Sequence, residues 1–171
     1  MFPSNTVSSA TLELLKRIMR DNRLTDFFLV GGTALSLQIG HRISIDLDLF
    51  TVRDFKEEEI LAHLTNEYGF SLDFRSKNTL KGEINGVKVD LIAHQYPLVK
   101  PFVVEGEIRM AGLEDISAMK LNAVAGYGRR IKDFIDLAYL SSFLTAAQIK
   151  EAYAEKYAST NPVMALKALD Y

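Results

Sequence analysis

Apolar residues recur at helical spacing over residues 6–21, where Ala10, Leu14, Leu15, Ile18 and Met19 mark one face and Ser8 and Ser9 are available as caps. A packing helix is predicted there. Residues 27–30 read as a short buried strand, which Gly31-Gly32-Thr33 turns into a helix that ends near Gly40, a common terminator. Over residues 43–50 the pattern changes to strict alternation. On a strand this puts Ser44, Asp46 and Asp48 on one face and Ile43, Ile45, Leu47 and Leu49 on the other, the core face. A second helix follows, with Asp54 as its cap, Glu57, Glu58 and Glu59 as first-turn charges, and Ile60, Leu61 and Leu64 behind them. Residues 70–94 read as strands, with Asn85-Gly86 between two apolar segments as a strong hairpin signal. Pro97 and Pro101 interrupt the pattern, and residues 102–110 give one or two short strands around Glu105-Gly106. Residues 113–171 are helical by period, divided near Tyr127-Gly128, Thr145 and Asn161-Pro162 into three or four helices. The fold class is α/β (α+β), a small mixed twisted sheet flanked by helices. The expected organisation is an α/β core over 1–112 and a C-terminal helical subdomain over 113–171 packed on it, closing one side of a cleft.

Composition narrows the classes without naming one. The chain has 171 residues, 48% of them hydrophobic, enough for a well-packed domain with a helical appendage. A net charge of −2 excludes a general nucleic-acid coat, so a polyanionic partner must be held by a local basic patch or through metal ions. Cysteine is absent, which removes disulfides, thiolate metal sites and cysteine nucleophiles. No apolar run reaches the length of a membrane span, and the first residues lack a secretory pattern, so no membrane partner and a cytoplasmic location are expected.

The chemistry lies in the aspartates. Two carboxylates held together repel unless a proton or cation lies between them, and hard divalent ions take such oxygens. Asp46 and Asp48 therefore read as a metal site. Asp90 lies within the apolar hairpin strand around Val89 and Leu91, where an ionised group is costly without a partner. Pairing of that strand beside residues 43–50 would complete a cluster able to bind two divalent ions, an arrangement suited to phosphoryl transfer. The Gly31-Gly32 turn opens a helix whose N–H groups suit a phosphate, and glycine lets the phosphate approach closely.

Gly31-Gly32, the following Asp46-Leu47-Asp48 on an apolar strand, and the single Asp90 on a later strand together resemble the polymerase-β-type nucleotidyltransferase superfamily. The wording Gly31-Gly32-Thr33-Ala34-Leu35-Ser36-Leu37 with His41-Arg42-Ile43-Ser44-Ile45-Asp46-Leu47-Asp48 is similar to its AbiEii/AbiGii-type branch, the nucleotidyltransferase toxins of type IV toxin–antitoxin systems. Lys120 and the Lys132-Asp133 pair stand where that branch carries its later motifs. The resemblance implies a nucleotidyltransferase-type sheet and transfer of a nucleoside monophosphate from an NTP to an acceptor hydroxyl, with release of pyrophosphate. It further implies Mg²⁺ (or Mn²⁺) on Asp46, Asp48 and Asp90. Gly31, Gly32, Thr33 and Lys120 would hold phosphate, and Asp133 would align Lys120. RNA, especially a tRNA end, is the acceptor it implies, and a cognate antitoxin protein is a further partner.

Other readings stand beside these. A small-molecule acceptor such as an aminoglycoside would use the same metal chemistry and predicts an acidic acceptor pocket. An inert nucleotide-binding or partner-binding module would keep the fold, although three costly carboxylates held together argue against it. Lys120 between Met119 and Leu121 could instead be a lysine snorkelling from a packed helix. Asp133 could simply pair with Arg129 or Arg130, and the group Arg129, Arg130 and Lys132 could hold RNA or be solvated. His41 and Arg42 are candidates for phosphate or surface. Asp136, His63 and His94 are read as ordinary solvated or satisfied residues.

Overall fold

The computed structural model describes residues 2–3, 5–127 and 130–167. Among them are seven helices and one seven-stranded sheet. The chain divides into two compact units, one of Met1–Gln95 with Val104–Met110, the other of Tyr96–Val103 with Ala111–Tyr171.

The first unit opens with helix α1 (Ser9–Arg20), capped by Ser8, whose hydroxyl accepts from the Thr11 N–H. Strand β1 (Phe28–Val30) runs directly into α2 (Gly31–Ile39), which Gly40 ends in the left-handed conformation. Strand β2 spans Leu47–Thr51, shorter than the alternation predicts. Ile43 and Ile45, expected on the core face, are 71% and 64% exposed, and Ser44 is buried instead. The cause is local. The Ser44 N–H donates to the Thr6 carbonyl and the Thr33 hydroxyl to the Asp46 carbonyl, which pulls residues 43–46 out of any ladder and turns Ser44 inward.

Helix α3 spans Glu57–Tyr68, with Lys56 rather than Asp54 at the cap position. Asp54 instead accepts from the Asn78 side-chain amide, while the Asn78 N–H donates to Glu57. Strands β3 (Ser71–Ser76), β4 (Thr79–Ile84) and β5 (Val87–Ala93) form a meander, with Asn85 and Gly86 both at positive φ as a two-residue hairpin turn demands. β6 (Val103–Glu105) and β7 (Ile108–Met110) complete the order β3-β4-β5-β2-β1-β7-β6. Leu47, Leu49, Leu80, Ile84, Val89 and Leu91 cover one face and are essentially inaccessible. Gly82 shares that face, and a Cβ there would strike the Ser71 carbonyl oxygen and the Phe70 ring. The opposite face carries Asp48, Asp90 and Lys81.

The second unit is built of α4 (Leu113–Tyr127), α5 (Ile131–Leu140), α6 (Ala146–Lys156) and α7 (Pro162–Lys167), with α4 packed against the other three. Thr145 and Gln148 form a reciprocal capping box at the start of α6. Leu121, Leu144, Ile149, Tyr153 and Tyr157 anchor its core. Gly128, Arg129 and residues 168–171 lie outside the described residues. No described helix is long and apolar enough to cross a membrane.

Candidate active site

The site starts from the turn between β1 and α2. Gly31 sits at φ +72°, a conformation open mainly to glycine, and a Cβ there would collide with the Asp48 carboxylate. Gly32 is hemmed in by the Arg42 guanidinium and by Ser44 Oγ. The backbone is thus pressed against Asp48 on one side and Arg42 on the other. Val30 at the cap position offers no side-chain acceptor, and the first turn holds no acid. The opening N–H groups of α2 thus stand at the positive end of the helix dipole with no side-chain cap from Val30. Thr33 follows the two glycines in the first turn of α2. Its side chain is fully buried and fastens the Asp46 carbonyl, with Ser44 Oγ 2.9 Å away.

The aspartates meet through the register of three strands. β1 runs antiparallel to β2 with Val30 opposite Asp48, and β2 runs parallel to β5 with Asp48 opposite Asp90. Directly paired residues share a face, so the two carboxylates stand side by side, next to the glycine turn. Asp46 lies one residue before β2, outside the ladder, so the i, i+2 strand geometry predicted for Asp46 and Asp48 does not reach it. Its charge still acts on Asp90. Asp90 is 6% exposed, and its Oδ1 is buried with no hydrogen-bond partner among the described residues. Its Oδ2 lies 3.7 Å from Lys81 Nζ. Burial pushes the Asp90 carboxyl above the usual carboxylate range, and the Asp46 charge adds to this; Lys81 and Lys88 oppose it without prevailing.

Among the described residues no three acidic or histidine side chains are gathered into a closed metal cage. The donor set nonetheless suits a hard divalent cation. It consists of carboxylate oxygens only, one of them buried and short of a partner.

In the second unit Lys120 is buried between Asp133 Oδ1 at 2.7 Å and Asp136 Oδ2 at 2.8 Å. The alignment of Lys120 by Asp133 that the family pattern implies is present as a contact. Asp136, read from sequence as ordinary, completes the pairing; its i, i+3 spacing from Asp133 on one helix was the available signal. Arg130 Nε lies 3.4 Å from Asp133 Oδ2. Sequence reading also passed over the Asp115–Lys156 pair. Both residues are buried, 2.8 Å apart, and Asp115 also accepts from the Val99 and Lys100 N–H groups. His63 is satisfied by Asp21, 2.6 Å away.

Residues 13–100 match the family described as the nucleotidyl transferase AbiEii toxin of type IV TA systems. The chain belongs to the AbiEii family. This nucleotidyltransferase is also 30% identical over 165 residues to the uncharacterized protein aq_aa25 of Aquifex aeolicus (strain VF5), across 93% of this chain and 80% of the relative. Its fold is similar to JHP933 from Helicobacter pylori, with a TM-score of 0.56 at 16% identity, covering 96% of this chain and 90% of that one. It is likewise similar to ANT(2'')-Ia, an antibiotic-resistance factor solved in complex with adenylyl-2''-tobramycin. That TM-score is 0.63 at 16% identity, covering 87% and 97% of the two chains. At such identities the likeness is one of fold: the AbiEii chain shares the mixed sheet and flanking helices of these structures.

Proposed function

We propose that this AbiEii-family chain transfers a nucleoside monophosphate from an NTP to a hydroxyl of RNA, in particular a tRNA end, under the control of a cognate antitoxin protein. The observation that carries the reading is the register pairing of Asp48 with Asp90 beside the glycine turn. In the reaction the acceptor oxygen attacks the α-phosphorus, the bond to the bridging oxygen of the β-phosphate breaks, pyrophosphate leaves, and the acceptor proton passes to solvent. Mg²⁺ or Mn²⁺ held by Asp46, Asp48 and Asp90 would neutralise the triphosphate and make the acceptor hydroxyl easier to deprotonate. The backbone N–H groups of Gly31, Gly32 and Thr33 cradle phosphate oxygens, with the Arg42 guanidinium packed at the same turn. Thr33 keeps Asp46 in place from behind. Lys120, oriented by Asp133 and Asp136, is the lysine that the family pattern assigns to the phosphates. Positioning and charge neutralisation carry most of the catalysis in such a transfer.

The test incubates the purified protein with Mg²⁺, each α-labelled NTP in turn and total cellular RNA, with Asp46→Ala as control. Label entering an RNA band with the wild type alone is the expected result and identifies the nucleotide. Label entering a small molecule or protein overturns the RNA acceptor. The absence of Asp46-dependent transfer to any acceptor would leave an inert module.

A further inference from the structure

The row of paired residues that contains Asp48 and Asp90 continues outward across the sheet. Asp90 is opposite Lys81 on β4, and Lys81 is opposite Phe74 on the edge strand β3. The order along one face is thus Val30, Asp48, Asp90, Lys81, Phe74. Phe74 reaches this face through a bulge. The β3–β4 register slips between Leu72 and Phe74, so that Leu72 pairs with Gly82 on the core side and Phe74 with Lys81 on the other. Without the bulge both apolar residues would face the same way. Phe74 is 52% exposed, a large ring on the edge strand of the sheet. Neighbouring strands lie about 4.8 Å apart, which places Phe74 two strands, or about 10 Å, beyond Asp90. Lys88, two residues before Asp90 on β5, is exposed on this same face, and Glu83 stands opposite it.

The glycine turn, which holds phosphate in the proposed reaction, is at one end of this row, so groups beyond Asp90 at the other end face the incoming acceptor. We infer that Lys81 and Phe74 form an acceptor platform, on which Phe74 stacks a base of a single-stranded RNA end and Lys81 meets its phosphate. Exposed aromatic rings on a sheet are surfaces on which unpaired bases stack, and lysines beside them track the backbone. The inference rests on the nucleotidyl-transfer reading of the same site.

The chain contains no tryptophan, so Phe74→Trp places a single indole on the platform. The probe is a short single-stranded oligoribonucleotide with a free 3′ hydroxyl, added without NTP. Saturable quenching of that indole is expected. Phe74→Ala should weaken binding of the oligoribonucleotide about five- to hundredfold, the range of one stacked base. Lys81→Gln should lower the slope of log affinity against log salt by about one. An indole that does not respond at saturation, or unchanged oligoribonucleotide affinity in Phe74→Ala, overturns the platform. Transfer of label to RNA is scored separately. Wild-type labelling of RNA that survives Phe74→Ala and Lys81→Gln undiminished overturns the platform and leaves the reaction standing; no labelling of RNA by the wild type overturns the acceptor reading itself.

Discussion

Each unit of this protein buries a carboxylate, and the two are treated in opposite ways. Asp115 is fully inaccessible and completely served: two backbone N–H groups and the Lys156 ammonium converge on it, and that ammonium also donates to the Pro97 carbonyl. Asp90 is nearly as buried, yet one oxygen has no hydrogen bond and the other only a lysine 3.7 Å away, with Asp46 adding repulsion. Burial alone therefore does not mark a working residue. The unmet demand at Asp90, in register with Asp48, is what supports the cation-binding role proposed for it, because a buried acceptor left short of partners costs free energy that an arriving cation can recover.

The largest effect expected of any substitution at these carboxylates is structural. Asp115→Ala leaves the buried Lys156 ammonium without its carboxylate and should cost about 3–5 kcal/mol in urea unfolding, whereas Asp115→Leu with Lys156→Met should recover only part of it, since the Val99 and Lys100 N–H groups still lose their acceptor. If Asp115→Ala were harmless, the contrast between the two carboxylates would collapse. The opposite signature belongs to Asp90. Asp90→Asn should lower nucleotidyl transfer by about a hundred- to a thousandfold, while the melting temperature without divalent metal holds or rises, because the burial cost of the charge is removed.

A smaller effect is expected at Asp21, where burial opposes ionisation but hydrogen bonds from Tyr68, His63 and the Arg23 N–H outweigh it and hold the carboxyl below its ordinary value. Asp21→Asn should cost about 1.5–3 kcal/mol at neutral pH. A depressed folded value adds stability above the unfolded value of 3.8, and that stability is lost as pH falls through the folded value. The gap between wild type and Asp21→Asn should therefore close below about pH 4 in acid-unfolding curves. Least of all, Lys56→Ala should leave stability unchanged, since its pairing with Glu59 lies in solvent.

Short-range signals were legible in the sequence and long-range corrections were not. Ser8 as a cap, Gly40 as a terminator and Asn85-Gly86 as a turn act within a few residues, and each stands where the pattern puts it. The glycine turn is another such local signal, and it stands against Asp48. The alternation over 43–50 misled because two hydrogen bonds, from Ser44 to Thr6 and from Thr33 to Asp46, override it. Asp54 lost its cap role to Asn78, more than twenty residues away. The Asp73 bulge, which sends Phe74 to the aspartate face, leaves no mark in composition, since only the partner strand reveals it. The Asp115–Lys156 pair left no mark in the sequence because the two residues are two helices apart, on α4 and α6.

The parallel pairing of β2 with β5 also has a kinetic meaning. Asp48 and Asp90 become neighbours only after α3 and two further strands have been made, and the hydrogen-bonded partner of β1 on its other side, β7, comes later still. Contacts of such sequence separation close slowly, after local helices and hairpins have formed. A ribosome that has released β1, α2 and β2 has therefore delivered the glycine turn and the first aspartates before Asp90 can join them. The pairing that carries the proposed reaction is therefore among the later contacts that this topology can close.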